Sequence, residues 1–458
     1  MTFDFRLHKS ILKIAVPSIL ANITIPLVGL VDMIIAGHIS SAWAIGGIAV
    51  GTMLFDMLYG CFGFLRVSTA GLTAQAYGAD NPDECGRLFV RSSALAVSGA
   101  LLIWLLQWVY LEAVLAVMPC SEEVAEFART YYNIRIWAAP ATLMIMTCKG
   151  WFIGMQDGVR AMVTDLVVNG VNMLASYLLA VHTSLGVAGV AYGTLIAQWT
   201  GLITALAMIA VRYSKHFRLL TFDFRLSTNK RFFRLNADLF VRSLCFIVVY
   251  VGWTVISSSY GDVELAASAL MMKLFMLFSF FIDGFAFAGE ALVGKAIGEQ
   301  QSEVRNQKSE GSNQLSTFDF RLSTIIKALF AWGTGVGLLF SLLYLLFPEA
   351  LFSSLTTDRE VVATMHHYLG WLVAMPIVSM LAFMWDGIYV GATRGKEIRN
   401  AMLWAAFAFA VTYFLLSTFD FRLSTNIGTH ALYAAYFAHL AARVIYLTVK
   451  FQKYVVSL

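Results

Sequence analysis

Charge is what this chain has least of. Only 13% of its 458 residues are Asp, Glu, Lys or Arg, while 59% are hydrophobic. Soluble domains carry roughly 25% charged residues, so a water-soluble enzyme is excluded, and no polar stretch is long enough to form a separate soluble domain. The net charge of +4 is too small and too dispersed to suggest a nucleic-acid partner. Its five cysteines (Cys61, Cys85, Cys120, Cys148 and Cys245) are scattered, with neither metal-ligand spacing nor a disulfide framework, and read as small hydrophobes. No Gly-x-x-x-x-Gly-Lys-Ser/Thr loop is present, so any transport must draw on an ion gradient rather than on ATP. Nucleophile–base pairs, metal clusters and filter-like loops are also missing, which argues against a membrane enzyme and against a channel. No cleavable signal is expected before the first apolar run.

What is there is a series of apolar runs. A helix needs about 20 predominantly apolar residues to cross a bilayer. On that template the chain predicts twelve spans, at 11–37, 44–69, 90–111, 128–154, 159–181, 187–212, 237–260, 266–294, 325–347, 362–393, 400–417 and 430–449. The fold class expected is all-α and integral to the membrane. Lys and Arg gather at the N-terminus (Arg6, Lys9), after the sixth span (Arg212, Lys215, Arg218, Lys230, Arg231, Arg234), after the tenth (Arg394, Lys396, Arg399) and at the C-terminus (Lys450, Lys453). The opposite connections are short and acidic, with Glu112, Glu122, Glu123, Glu126, Asp262 and Glu264. The positive-inside rule then places both termini in the cytoplasm.

Two kinds of repetition run through the chain. The first is weak and spread out. Thr73–Gly78 resembles Val293–Gly298, Gly150-Trp-Phe-Ile-Gly154 resembles Gly387-Ile-Tyr-Val-Gly391, and Pro140 and Pro376 occupy matching spans. Equivalent spans are six apart, so the halves are parallel repeats. This predicts an N-terminal lobe at 1–212, a cytoplasmic linker at 213–236 and a C-terminal lobe at 237–458. The second repetition is Thr-Phe-Asp-Phe-Arg-Leu-Ser-Thr at 221–228, 317–324 and 418–425, with its first six residues at 2–7. Identity over eight residues between unrelated flanks reads as inserted sequence placed in connections, foreign to the fold. The alternation of Phe with Asp and Arg suits an extended strand if the segment is instead a displayed binding peptide.

Ionisable groups inside spans carry the functional signal, because each costs at least a few kcal/mol there. In the first span Asn22, Ile25, Pro26, Gly29, Asp32, Met33 and Ala36 follow helical spacing. That stripe combines an acid, a proline where the helix can bend and small residues that permit close packing. In the fifth span Asp165, Asn169, Asn172 and Ser176 stack on one face, and Thr194 and Gln198 of the sixth can complete a polar cluster. Burial favours a neutral carboxyl, whereas donated hydrogen bonds favour the anion, and the balance decides whether such an acid exchanges a proton near neutrality. The second half carries Asp283 and Glu290 in the eighth span and Asp386 in the tenth, as a second cation or substrate site or as partners of Lys273 or Lys295. Asp56 and Arg66 lie in the second span. His366 and His367, at the outer start of the tenth, read as a wetted interface.

Pro26-Leu-Val-Gly-Leu-Val-Asp-Met-Ile-Ile-Ala-Gly-His38, Gly71-Leu-Thr-Ala-Gln-Ala-Tyr-Gly78 and Asp386-Gly-Ile-Tyr-Val-Gly-Ala-Thr-Arg-Gly395 together resemble the multidrug and toxic compound extrusion family, and its DinF-like branch in particular. The resemblance covers nearly the whole chain outside the octapeptides. It implies two pseudo-symmetric six-helix lobes around a central cleft, and export of cationic lipophilic drugs in exchange for protons or sodium. It implies Asp32 as the coupling acid, bending of the first span, and the fifth- and sixth-span residues Asn169, Asn172, Ser176, Thr194 and Gln198 as the rest of the cation site. Substrate contacts are expected at Asn22, Pro26, Gly29, Met33, Asp283 and Asp386. Ser176 stands where relatives often carry a second acid, which favours protons over sodium, leaves sodium coupling as the alternative and weakens a strict two-acid mechanism. A flippase for lipid-linked substrates is a further alternative within the superfamily, although the intramembrane excess here is acidic. The expectation is therefore a drug/proton antiporter and no enzyme. It would be a monomer of the bacterial inner membrane with no cofactor, its partners being the bilayer, protons and cationic drugs.

Overall fold

The computed structural model describes residues 4–38, 42–117, 121–217, 229–306, 315–423 and 429–451; at 32–33, 36–38, 42–45, 117, 187, 217, 305–306, 315–320 and 419–423 it describes the backbone alone. Among the described residues all regular structure is helical. In chain order the α-helices are α1 (Phe5–His38), α2 (Ala42–Cys61), α3 (Phe64–Gly78), α4 (Pro82–Val117), α5 (Glu122–Arg135), α6 (Ala139–Gly154), α7 (Gly158–Val181), α8 (Val187–Tyr213), α9 (Lys230–Ser258), α10 (Asp262–Asn306), α11 (Leu315–Leu346), α12 (Pro348–Leu355), α13 (Arg359–His367), α14 (Leu369–Gly391), α15 (Gly395–Leu423) and α16 (Thr429–Phe451). Twelve stretches are long and apolar enough to cross a membrane, and each overlaps one of the twelve expected spans. Large apolar side chains stay exposed along them, among them Leu105, Val211, Leu339 and Phe414 at 62–86%, as a lipid-facing surface requires.

Several boundaries depart from expectation for local reasons. The second span is two helices, α2 and α3, and the fourth is α5 and α6 joined by a 3-10 turn at Ile136–Ala138. Pro140, in the first turn of α6, lacks the N–H that would continue an unbroken α-helix from α5. The tenth span is shorter than 362–393. Its N-terminal part is the separate helix α13, capped where Asp358 accepts from the backbone N–H groups of Glu360 (2.9 Å) and Val361 (3.4 Å). Residues 230–236, expected in the linker, form the first turns of α9; 218–228 lie outside the described residues.

The octapeptide copies do not form strands where they are described. Phe5–Leu7 open α1, with Asp4 Oδ1 accepting from Arg6 N (3.0 Å) and Leu7 N (3.3 Å) as a helix cap. The copy at 317–324 lies within α11, where Leu322 is buried and Arg321 Nη1 meets Glu299 Oε2 at 2.7 Å. Residues 418–423 continue α15. Next to a long helix, each added residue gains one backbone bond without a new nucleation cost, so an alternating pattern is absorbed as helix. The copy at 221–228 lies outside the described residues.

The chain divides into two compact units, Val16–Phe232 and Met1–Ala15 with Phe233–Leu458. The sequence repeat has a structural counterpart inside each. In the first, α6 packs on α3, and a Cβ at Gly150 would stand 2.3 Å from Arg66 O. In the second, α14 packs on α10, and a Cβ at Gly387 would stand 2.4 Å from Ala286 O. Both helices end in the same turn, with left-handed Gln156 (φ 61°) two residues beyond Gly154 and Thr393 (φ 54°) two beyond Gly391. Repeated glycines mark repeated helix contacts.

Candidate functional site

The polar residues expected in the fifth and sixth spans do come together, in the unit Val16–Phe232. Helix α7 begins where Asp157 caps its first turn by accepting from Arg160 N at 3.3 Å. Helix α8 lies close against it because Gly189 and Gly193 face Ala180 and Ser176; a Cβ on Gly193 would come within 2.4 Å of Ser176 Oγ. This small-xxx-small approach brings the polar atoms into contact. Asn172 Nδ2 donates to Thr194 Oγ1 at 2.9 Å, Thr194 Oγ1 donates to Val190 O at 3.2 Å, and Ser176 Oγ donates to the same carbonyl at 3.4 Å. The Thr194 proton is committed to a carbonyl, so its oxygen accepts, which fixes the orientation of the Asn172 amide. Asn172 Oδ1 is then left buried without a donor. A buried acceptor in that state can accept from a hydrogen-bond donor or meet a positive charge.

Asn169, nearly one turn earlier on α7, joins this helix to α1: its amide donates to Thr24 Oγ1, and Thr24 Oγ1 donates to Ala21 O at 2.6 Å. Thr24 was not singled out from the sequence, because a threonine on an apolar helix is ordinarily satisfied by its own backbone. On the C-terminal side of this tether the two helices separate. Cβ atoms at Gly29 and at Gly170 would meet nothing within 4 Å. A cavity of about 430 Å³ opens between the helices, lined by Val31, Ile34, Ile35, Gly170, Met173, Leu174 and Tyr177. Helix α1 is also missing from the closely packed helix pairs among the described residues.

Asp32 and Met33 sit on α1 between the cavity residues Val31 and Ile34; their side chains lie outside the described residues. Asn22 is buried, while Pro26 and Gly29 are exposed. Gln198, one turn beyond Thr194, is half-buried and makes no hydrogen bond with the described residues of the cluster. Asp165 shares the α7 face, but its carboxylate goes to Lys149 Nζ of α6 at 2.8 Å. Asp56, on α2, is exposed.

Asp283 and Asp386 belong to the other unit. Asp283 is half-buried on α10. Asp386 is buried and clamped by two guanidiniums: Arg443 Nε reaches Oδ1 at 3.0 Å, Arg443 Nη2 also reaches Oδ2, and Arg242 Nη2 meets Oδ2 at 2.7 Å. The carboxylate is therefore fully occupied by arginines of α9 and α16. Neither arginine was picked out from the sequence, although intramembrane charges usually pair with one another. Among the described residues no three His, Cys, Asp or Glu side chains gather as a metal site.

Sequence similarity settles the family, and structural similarity the fold. A family model described as MatE matches residues 17–178. Over 447 residues the chain is 34% identical to DNA damage-inducible protein F of Escherichia coli (strain K12), covering 97% of this chain and 92% of that protein. This chain belongs to the MatE family. It is also 23% identical over 393 residues to Multidrug and toxin extrusion protein 1 of Homo sapiens, covering 85% of this chain and 65% of that protein. In fold it matches a MATE protein crystallised in the bent conformation, with a TM-score of 0.83 at 15% identity, covering 100% of this chain and 98% of the other. The MatE chain described here is thus a multi-pass membrane transporter of the extrusion family, with the DinF-like affinity read from its motifs.

Proposed function

We propose that this chain exports lipophilic cations across the bacterial inner membrane in exchange for protons, with Asp32 as the protonation site and rearrangement of α1 at Pro26 as the moving part. The observation that carries the reading is Asn172 Oδ1, a buried acceptor without a donor on the face of α7 that continues the Asn169 tether to α1. A carboxyl that gains a proton gains a donor for such an acceptor, so protonation of Asp32 and capture of the α1 segment become one event. Asn169, Asn172, Ser176, Thr194 and Gln198 form the polar wall of that site.

The cavity on either side of Asp32 along α1 is apolar and partly lined by Met173, a surface that can repack around varied apolar ligands. Asn22, Pro26, Gly29 and Met33 are assigned to drug contact from their positions on α1, and Asp283 as a substrate contact of the other unit. Closing α1 onto α7 would remove the cavity and expel its occupant. One charge moving through the membrane potential yields about 2.3 kcal/mol per 100 mV, sufficient to couple one proton to one exported cation. Sodium is the alternative driving ion, and the single first-span acid favours the proton. No cofactor enters the cycle. The remaining assignments are a monomer with both termini in the cytoplasm and two moving bodies that follow the units Val16–Phe232 and Met1–Ala15 with Phe233–Leu458, the expected 1–212, 213–236 and 237–458 division being displaced by the helical start of α9 at Lys230.

The test is ethidium efflux from everted vesicles with proton and sodium gradients imposed separately, for the wild type and Asp32→Asn. Proton-driven efflux is expected in the wild type and its loss in the variant. Undiminished efflux in Asp32→Asn would remove the role given to Asp32, and efflux driven by sodium alone would replace the proton.

A further inference from the structure

In the unit of Met1–Ala15 and Phe233–Leu458, the last turn of α13 and the first turns of α14 and α16 hold a second group of titratable side chains. His430, in the first turn of α16, is bonded on both ring nitrogens. Trp371 Nε1 of α14 lies 2.9 Å from His430 Nδ1, and His430 Nε2 lies 2.9 Å from Nε2 of His367 on α13. An indole N–H can only donate, so His430 Nδ1 is an acceptor and its proton sits on Nε2. His430 Nε2–H therefore donates to His367, whose own proton sits on Nδ1. Both imidazoles are neutral in this arrangement, and each nitrogen facing the other groups has one defined role.

The surroundings hold the pair in place. Trp371 and Tyr368 both stack on Tyr433, with ring centroids 6.1 and 5.1 Å apart. Glu264, from the first turn of α10, accepts from Thr429 Oγ1 at 2.9 Å and from Tyr368 OH at 3.3 Å. Burial keeps the Tyr368 phenol above its usual range, so it remains a donor to Glu264. The neighbouring His366 of α13 has its Nε2 3.1 Å from Glu349 Oε1 of α12, without hydrogen-bond geometry. His367 is exposed and His430 half-buried, so water and protons reach the pair.

We infer that the His367–His430 pair is a proton-binding site separate from the Asp32 region, one that ties α13 to α16 while neutral and releases them when it takes up a proton. A proton added at His367 Nε2 sets two N–H groups against each other. Added at His430 Nδ1, it opposes the Trp371 N–H in the same way. Either way the 2.9 Å contact must open, and the Glu264 carboxylate is the group placed to receive the freed imidazolium. The tied form binds fewer protons than the open form, so acid favours the open form and the tie weakens as the pH falls. The distribution of Lys and Arg assigns this end to the outside, where the pair would read external acidity. The inference stands on this cluster alone and does not depend on Asp32 or on the coupling ion.

Hydrogen exchange of the full-length protein in nanodiscs tests it, at pH values about one unit above and below 6.5. Exchange over 359–371 and 429–436, corrected for the intrinsic pH dependence, is expected to be about tenfold faster at the lower pH. In His367→Gln and His430→Gln that step should fall below about twofold. Trp371→Phe removes the donor facing Nδ1, so its step should remain and move to higher pH. A wild type without a step overturns the inference, as do glutamine variants that keep the full step or a Trp371→Phe midpoint that does not move. Ethidium efflux by His367→Gln at the higher pH should match the wild type, which keeps the result separate from the export reading.

Discussion

Asn172 Nδ2 and Thr194 Oγ1 lie 2.9 Å apart, and that one bond leaves the other end of the same amide, Oδ1, buried and unmet. The α7–α8 contact holds this acceptor in place and leaves it open, as the proposed coupling site requires. Glycines 189 and 193 bring the helices close enough to make the bond, and the Val190 carbonyl, shared by Thr194 and Ser176, sets its polarity.

Replacing Thr194 by Val removes the acceptor for Asn172 Nδ2 at nearly constant shape. The buried amide then lacks partners at both ends, at a cost of about 1–3 kcal/mol. Thermal or denaturant unfolding in detergent should register the loss, and proton-driven efflux should fall with it. Asn172→Leu together with Thr194→Val should recover most of the stability but none of the transport, because it removes the open acceptor along with the orphaned donor.

Gly193→Leu sets a side chain against the α7 backbone, where even a Cβ would lie 2.5 Å from Ser176 N. Overpacking of this kind costs about 1–3 kcal/mol. A lower melting temperature is expected, with fewer properly inserted molecules. Gly170→Ala is the control: its Cβ meets open space in mid-helix, so stability should not fall and should rise by up to about 1 kcal/mol.

Arg443→Met leaves Asp386 with Arg242 as its single arginine and removes its two-point partner. Breaking a buried ion pair from one side costs about 3–5 kcal/mol. Arg242→Met should cost less, because Arg443 still satisfies both carboxylate oxygens. Comparing the two single variants and Asp386→Asn by unfolding checks the order. Arg321→Ala should change stability by less than about 1 kcal/mol, since its pair with Glu299 is more than half exposed on the arginine side.

Asn169→Ala cuts the tether to Thr24 and frees α1 from α7. Hydrogen exchange over residues 18–30 is expected to rise, while exchange over 187–213 stays at the wild-type rate. An unchanged α1 signal would show that the Asn169–Thr24 bond does not restrain the helix.

Hydropathy determined the number of candidate spans and their membrane character, because twelve apolar runs have no other stable arrangement in lipid, and the recurring glycine motifs gave the repeat, because glycines recur where helices must touch. The family followed from three motifs for the same reason: Gly and Pro positions record backbone constraints that spread along the chain. The polar stripe of α7 was legible too, since 3.6-residue periodicity places Asn169, Asn172 and Ser176 on one face. What the chain as a string could not decide was which acids are already taken. Asp165 read as part of a polar face and Asp386 as a cation or substrate site or a partner of Lys273 or Lys295, until tertiary packing set Lys149 against the first and Arg242 and Arg443 against the second, contacts 16 to 144 residues apart in sequence. Thr24, His430 and Trp371 gained their roles in the same way. An ionisable group's function depends on its partners' distances, and those distances exist only once the helices have packed.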